Sequence, residues 1–205
     1  MRAGRGHVLV VPTGGANLAS LTDAFARLGV PCEVSAEPAA YDRAERIVLP
    51  GVGAAPVARQ RLAATGLADR LRRERRPVLG ICLGMQILFE SSAEGDACGL
   101  GVLAGRVERL PTAPGVAVPH MGWSRVRRTR ESRLLDGVAD GGYFYFAHSY
   151  AACPQGDTVA EAEHLGRFAA VVERPPFYGT QFHPERSARH GARLLANFLE
   201  IAPCS

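Results

Sequence analysis

Lysine is absent from this 205-residue chain. All 24 of its strongly basic side chains are arginines, set against 20 acidic ones, for a formal charge of +4. An arginine-only excess of this size fits a GC-rich coding bias. The cationic runs Arg70–Arg76 and Arg125–Arg133 read as solvated helix and loop faces. They lack the interleaved aromatics of a single-strand binder, so nucleic acid is not an expected partner. Long apolar runs are also missing. His7–Val11, Ile47–Pro50 and Pro77–Cys82 are each far too short to span a membrane. The basic N-terminus is followed by too short an apolar run for a signal peptide, and a Pro-Thr-Gly-Gly turn comes at once. The expected location is cytoplasmic. No Cys-x-x-Cys pair occurs among the scattered Cys32, Cys82, Cys98, Cys153 and Cys204. No zinc site, disulfide framework or other metal centre is expected, and the thiols read as reduced. Repeats, linkers and low-complexity segments are absent too, which leaves one domain over residues 1–205. A hydrophobic content of 47% with 21% charge is ordinary for a globular core.

What is present alternates. Short apolar segments at His7–Val11, Cys32–Ala36, Arg46–Leu49 and Pro77–Ile81 read as strands. Helical patterns fall between them, at Asn17–Leu28 and at Ala55–Arg75 with a break at Gly66. Another begins over Met85–Glu90. This alternation implies an α/β fold with a central, mostly parallel sheet flanked by helices. The second half is richer in strands, at Gly105–Leu110, Tyr143–Ala151, Thr158–Glu163, Phe168–Glu173 and Tyr178–Phe182. A last helix spans about Ala188–Ile201.

Gly80-Ile81-Cys82-Leu83-Gly84 joins a buried strand to a helix. This is the Gly-x-nucleophile-x-Gly elbow with cysteine as the central residue. Side chains at the flanking positions would collide with nearby backbone. The turn holds the sulfur at a helix N-terminus, whose dipole favours thiolate. The Leu83 N–H points where an oxyanion would form. A buried structural cysteine in a tight turn has the same pattern, so the elbow alone does not decide.

Far downstream, Gln181-Phe182-His183-Pro184-Glu185 places a histidine at a strand end with a carboxylate two residues on. Imidazole suits a base that must later protonate a leaving amine. A carboxylate on its far nitrogen fixes tautomer and orientation. His7, His120, His148, His164 and His190 lack that arrangement.

Together, Gly80–Gln86 and Gln181–Glu185 resemble the class I, triad-type glutamine amidotransferases. The resemblance implies their flavodoxin-like α/β fold, with Cys82, His183 and Glu185 as triad. It implies attack of Cys82 on the side-chain amide of L-glutamine, a glutamyl thioester, and release of ammonia and glutamate without a cofactor. Pro50-Gly51-Val52-Gly53, Pro119–Trp123 and Tyr143–Tyr150 narrow it to the glutaminase subunits of imidazole glycerol phosphate synthase, in histidine biosynthesis. Met85 after the elbow glycine supports this, since many other class members carry histidine there. The partner implied is a (β/α)8 cyclase subunit in a heterodimer. It would use the ammonia to make imidazole glycerol phosphate and an aminoimidazole carboxamide ribotide.

On the matching positions, the resemblance implies an oxyanion hole from the Val52 and Leu83 N–H groups. Gly51 and Gly53 would let that strand rotate. Gly51, Gly53, Gln86, Ser149, Tyr150 and Glu94 would hold glutamine. His120, Met121 and Trp123 would face the cyclase, and Tyr145 and Arg186 would pair at the interface. Arg186 stands where the family often has lysine, and Ser124 where it usually has asparagine. Two other readings stay open: the glutaminase of another synthase, of pyridoxal phosphate or anthranilate type, and a silent regulatory subunit of the same fold.

Overall fold

The computed structural model of the protein describes residues 7–14 and 18–203. Gly15 of the N-terminal turn, Asn17 at the expected start of the first helix and Cys204 lie outside them. The first half runs β1 (Val8–Val10), α1 (Leu18–Arg27), β2 (Cys32–Val34), α2 (Pro38–Arg43), β3 (Arg46–Gly51), α3 (Ala55–Ala64), α4 (Leu67–Arg72), β4 (Val78–Cys82) and α5 (Leu83–Gln86). Then come β5 (Phe89–Ser92), β6 (Ala97–Cys98), β7 (Leu103–Arg109), β8 (His120–Arg125), β9 (Arg127–Arg128) and β10 (Tyr143–His148). The chain finishes with β11 (Tyr150–Ala152), β12 (Thr158–Glu163), β13 (Arg167–Arg174), β14 (Phe177–Thr180) and α6 (Ala188–Glu200).

The central sheet has eight strands in the order β2-β1-β3-β4-β14-β13-β12-β9. The pairings from β2 to β14 are parallel, and those from β14 to β9 are antiparallel. The expected parallel sheet is therefore the half that carries the elbow, and the strand-rich second half extends the same sheet in mixed sense. A four-stranded sheet, β11-β7-β5-β6, and the β8–β10 pair stand beside it.

Neighbouring residues of β1 enter different cores. Val8 and Val10 pack with Phe25, Leu194, Leu195 and Phe198 on one face. Leu9 and Val11 pack with Leu49, Leu62, Leu67 and Leu71 on the other. Each such side chain, fully buried, contributes about 1.5–3 kcal/mol. A sheet apolar on both faces reads as continuous hydrophobic runs. Polarity then cannot choose the register; close backbone contacts do. A Cβ on Gly84 would lie 1.6 Å from the Leu49 carbonyl oxygen, and one on Gly80 would lie 2.6 Å from the Gly84 carbonyl oxygen. These approaches lock β3, β4 and the turn after β4 together, with Gly51 opposite Cys82.

Two expectations change. The helix expected over Met85–Glu90 is a single turn, Leu83–Gln86. The carbonyls that a longer helix would use are taken instead by the N–H groups of Leu100 on Ile87, Gly101 on Phe89, and Leu103 on Leu88. The extended stretch expected over Tyr143–Ala151 divides at Ser149. Its first part pairs with β8 and its second with β7, in different sheets. Helix α2 and strand β8 have too little periodicity to be read from sequence.

Gly84→Ala should lower the unfolding free energy by about 3 kcal/mol, the upper part of the usual overpacking range, because the obstacle is backbone. Chemical denaturation measures this; a loss below about 1 kcal/mol would contradict the close approach as the register lock.

Candidate active site

Cys82 ends β4 with φ 53° and ψ −110°. That backbone region is strained for a side chain larger than hydrogen. The glycine contacts around it leave no room to relax. Its sulfur lies 3.8 Å from the Ala147 carbonyl oxygen, which a thiol S–H would meet. Strand β14 runs parallel to β4 on the side away from β3, so the chain leaving it passes close to the sulfur. His183 follows, and its ring is close enough to the Cys82 sulfur for the two to interact electrostatically. On the other side, His183 Nδ1 lies 2.8 Å from Glu185 Oε1. Both side chains are nearly buried, at 8% and 7% exposure.

The short turn Pro184–Arg186 that carries Glu185 is fastened at several points. The Ser187 hydroxyl donates to the His183 carbonyl at 2.6 Å and accepts the Tyr145 N–H at 3.0 Å. The His183 N–H donates to the Tyr145 carbonyl at 2.9 Å. Gly191 of α6 packs against the Pro184 carbonyl, where a Cβ would sit 1.9 Å from the oxygen. Burial alone would lower the His183 pKa. The hydrogen bonds and negative charge of Cys82 and Glu185 outweigh burial and hold it up to about 10. At neutral pH His183 is therefore set up as imidazolium.

A cleft of about 260 Å³ opens over the sulfur. Val52, Gly53, Leu83, Gln86, Glu94, Ser149 and Tyr150 line it. Gly51 does not; it lies beneath, with Leu83 against the place where its Cβ would be. The freedom expected of two glycines thus belongs to Gly53 alone. It has φ 118°, with nothing near its would-be side chain. Glu94 also caps α3, its Oε2 accepting the Ala55 N–H at 2.7 Å. Gln86 spends both amide hydrogens inside the protein, on the Tyr150 carbonyl at 2.7 Å and on Gln181 Oε1 at 3.1 Å. Its side-chain oxygen is the group left to meet a ligand.

Of the interface residues, Met121 and Trp123 stand out from β8 at 65% and 51% exposure. Arg186 sits over the Tyr145 ring, 4.2 Å from its centroid, and Trp123 meets the same ring edge-on at 6.1 Å. His120 does not join them. It is 4% exposed, because alternate residues of a strand face opposite sides. Its ring is stacked between Phe146 and His164.

His120 belongs to an internal chain instead. The Tyr150 carbonyl can only accept, so His148 Nδ1 carries the proton across that 2.9 Å contact. Burial pushes the pKa of His148 down to about 3, and burial followed by the nearby His164 pushes that of His120 down to about 4. Both rings are neutral. His148 Nε2 must then accept from His120 Nδ1 at 3.2 Å, and His120 Nε2 must accept from the Ser124 hydroxyl at 2.8 Å.

Two residues of the site were not singled out from sequence, Gln181 beside the sulfur and His148 in the cleft lining. The signal for Gln181 was spacing: two residues before His183 in an extended segment, it points to the same side.

The family model of glutamine amidotransferase class-I matches residues 9–202. Imidazole glycerol phosphate synthase subunit HisH of Xanthomonas axonopodis pv. citri is 49% identical over 195 residues, 95% of this chain and 98% of that protein. The subunit of the same name from Xylella fastidiosa (strain Temecula1) is 50% identical over the same lengths. Among solved structures, PurLQS from Thermotoga maritima superposes with a TM-score of 0.71 at 20% identity, over 95% of this chain and 97% of that one. A glutamine amidotransferase from the same organism gives 0.63 at 18%, over 97% and 84%. These two similarities speak for the fold alone. The chain belongs to the class I glutamine amidotransferases and, within them, to the HisH subunits of imidazole glycerol phosphate synthase.

Proposed function

We propose that Cys82, His183 and Glu185 are the triad by which this subunit hydrolyses L-glutamine, and that its ammonia passes to a (β/α)8 cyclase subunit. The observation that carries the reading is the grouping of the three side chains: the Cys82 sulfur opens on the cleft, interaction with it raises the His183 pKa, and His183 Nδ1 lies 2.8 Å from Glu185 Oε1. The Cys82 thiolate adds to the amide carbon of glutamine. The developing oxyanion meets the N–H groups of Leu83 and Val52. Imidazolium His183 gives its proton to the amide nitrogen, the C–N bond breaks, and ammonia leaves a thioester on Cys82. His183, now neutral, takes a proton from water, which attacks the thioester and releases glutamate. Glu185 keeps the ring oriented throughout. Gln86, Glu94 and the Ser149–Tyr150 backbone hold the substrate's α-amino and carboxylate groups.

Met121, Trp123, Tyr145 and Arg186 form the face offered to the cyclase. Aromatic rings and an arginine are the residue types that carry most interface energy. Among the described residues, no helix is long and apolar enough to cross a membrane, and the proposed location is the cytoplasm. With Val52 on a strand hinged at Gly53, the isolated chain should turn over glutamine only slowly.

In complex with a candidate cyclase, Cys82→Ala should abolish glutamine-dependent product formation and leave the ammonia-dependent reaction intact; loss of both would sink the assigned role. The purified chain without partner should show little glutaminase activity, and rapid turnover there would refute dependence on the partner. His183 has a folded pKa above its unfolded value, so its stabilising contribution is complete below about pH 6.5 and fades as pH rises through about 10. The difference in melting temperature between wild type and His183→Gln should shrink across that window, and a difference that grows with pH would contradict the ion pair.

A further inference from the structure

Besides His183 and the Ala147 carbonyl oxygen, the sulfur of Cys82 has a further polar neighbour. Gln181, wholly buried, places its amide nitrogen 3.7 Å from it. Amide oxygen and nitrogen are interchangeable in shape, so the orientation must be argued from the surroundings. Here the surroundings settle it. The Tyr150 carbonyl can only accept, so Gln86 turns its NH2 toward it. That same NH2 faces Gln181, which must present its oxygen there. The other end of Gln181, facing the sulfur, is therefore the N–H donor. The Tyr150 carbonyl is itself held by His148, and His148 through His120 by Ser124. Every donor in the series has an acceptor. Ser124, His120 and His148 donate in turn toward the Tyr150 oxygen, and Gln86 donates both to that oxygen and to Gln181.

We propose that Gln181 is a positioning residue for the nucleophile: its side-chain N–H donates to the Cys82 sulfur and favours thiolate, and Gln86 holds it in that orientation. The proposal rests on Cys82 as the nucleophile but concerns the state of the sulfur, which is readable without turnover. The need for such a donor is physical. The helix after Cys82 is a single turn and supplies few aligned peptide dipoles. A buried anion requires specific hydrogen bonds. The sulfur has two candidate donors, His183 and Gln181. The other ionisable groups around it are Glu185 behind His183, His148 on β10 and Glu94 on the 3-10 turn Glu94–Asp96. They are the same in every variant below.

The test is the pH dependence of Cys82 alkylation by iodoacetamide, read at the Cys82 peptide by mass spectrometry. Gln181→Met keeps the bulk and removes the donor. It should raise the midpoint of the alkylation profile by about one pH unit and so slow alkylation near neutrality about tenfold. In the assembled complex the same change should lower kcat for glutamine and leave KM nearly unchanged. Gln86→Met frees the Gln181 amide to turn over and should shift the midpoint in the same direction by less. It carries the test if Gln181→Met does not fold. A Gln181→Met or Gln86→Met protein that folds and keeps the wild-type midpoint would overturn the proposal. A shifted midpoint in a chain that never hydrolyses glutamine would uphold it while refuting the reading of the triad.

Discussion

The backbone of Cys82, held at φ 53°, is the constraint from which the site follows. A residue in such a region costs on the order of 1–3 kcal/mol and persists only where its surroundings leave no alternative. Those surroundings are three backbones in near contact. Leu49 of β3 touches Gly84, Gly80 of β4 touches Gly84 and Met85, and Gly51 sits under Leu83. Relaxing Cys82 would mean parting β3 from β4, and with them side chains of both cores. A few buried leucines outweigh the strain. The sulfur is thus fixed at the carboxyl edge of the parallel strands, where ligands of open α/β sheets generally bind.

In the proposed mechanism that sulfur is a thiolate, and magnitudes decide what would hold it there. A dipole at a helix terminus is worth a few tenths to about 1 kcal/mol, and the value presumes several aligned turns. Here there is one turn. Charge-assisted hydrogen bonds to a buried anion are worth more, about 1.5–3 kcal/mol each. His183 and Gln181 therefore matter more than the helix. His183 reaches the sulfur because Ser187 and the Tyr145 carbonyl fasten both sides of its turn.

The parts legible from sequence were those with local causes. The elbow glycines, the alternation of β1–β4 with helices, and the strand end before Pro184 each announce themselves over a few residues. Strand β12 and helix α6 were equally plain. What was hidden depends on distant partners. The one-turn α5 stops because Leu100, Gly101 and Leu103 supply its donors, and no pattern near Met85 could reveal that. The break at Ser149 arises because β8 and β7 claim opposite sides of it. His120 was expected on the surface because its motif neighbours are there. A strand, however, gives only every second residue to each side, and His120 fell on the inner one.

That alternation makes β8 and β10 one device with two faces. Met121, Trp123 and Tyr145 with Arg186 look outward, and Ser124, His120 and His148 look inward toward the cleft. The two departures from the family pattern fall on opposite faces, and each keeps its contact. The guanidinium of Arg186 lies over the Tyr145 ring, where a flat cation stacks at least as well as a lysine ammonium. The Ser124 hydroxyl donates to His120 Nε2, which in this chain of neutral rings requires a donor and nothing more. An asparagine amide supplies an N–H donor in place of that O–H, from a longer side chain. The Ser124 hydroxyl therefore preserves the polarity of the hydrogen bonds that run from this hairpin to Tyr150, Gln86, Gln181 and the Cys82 sulfur.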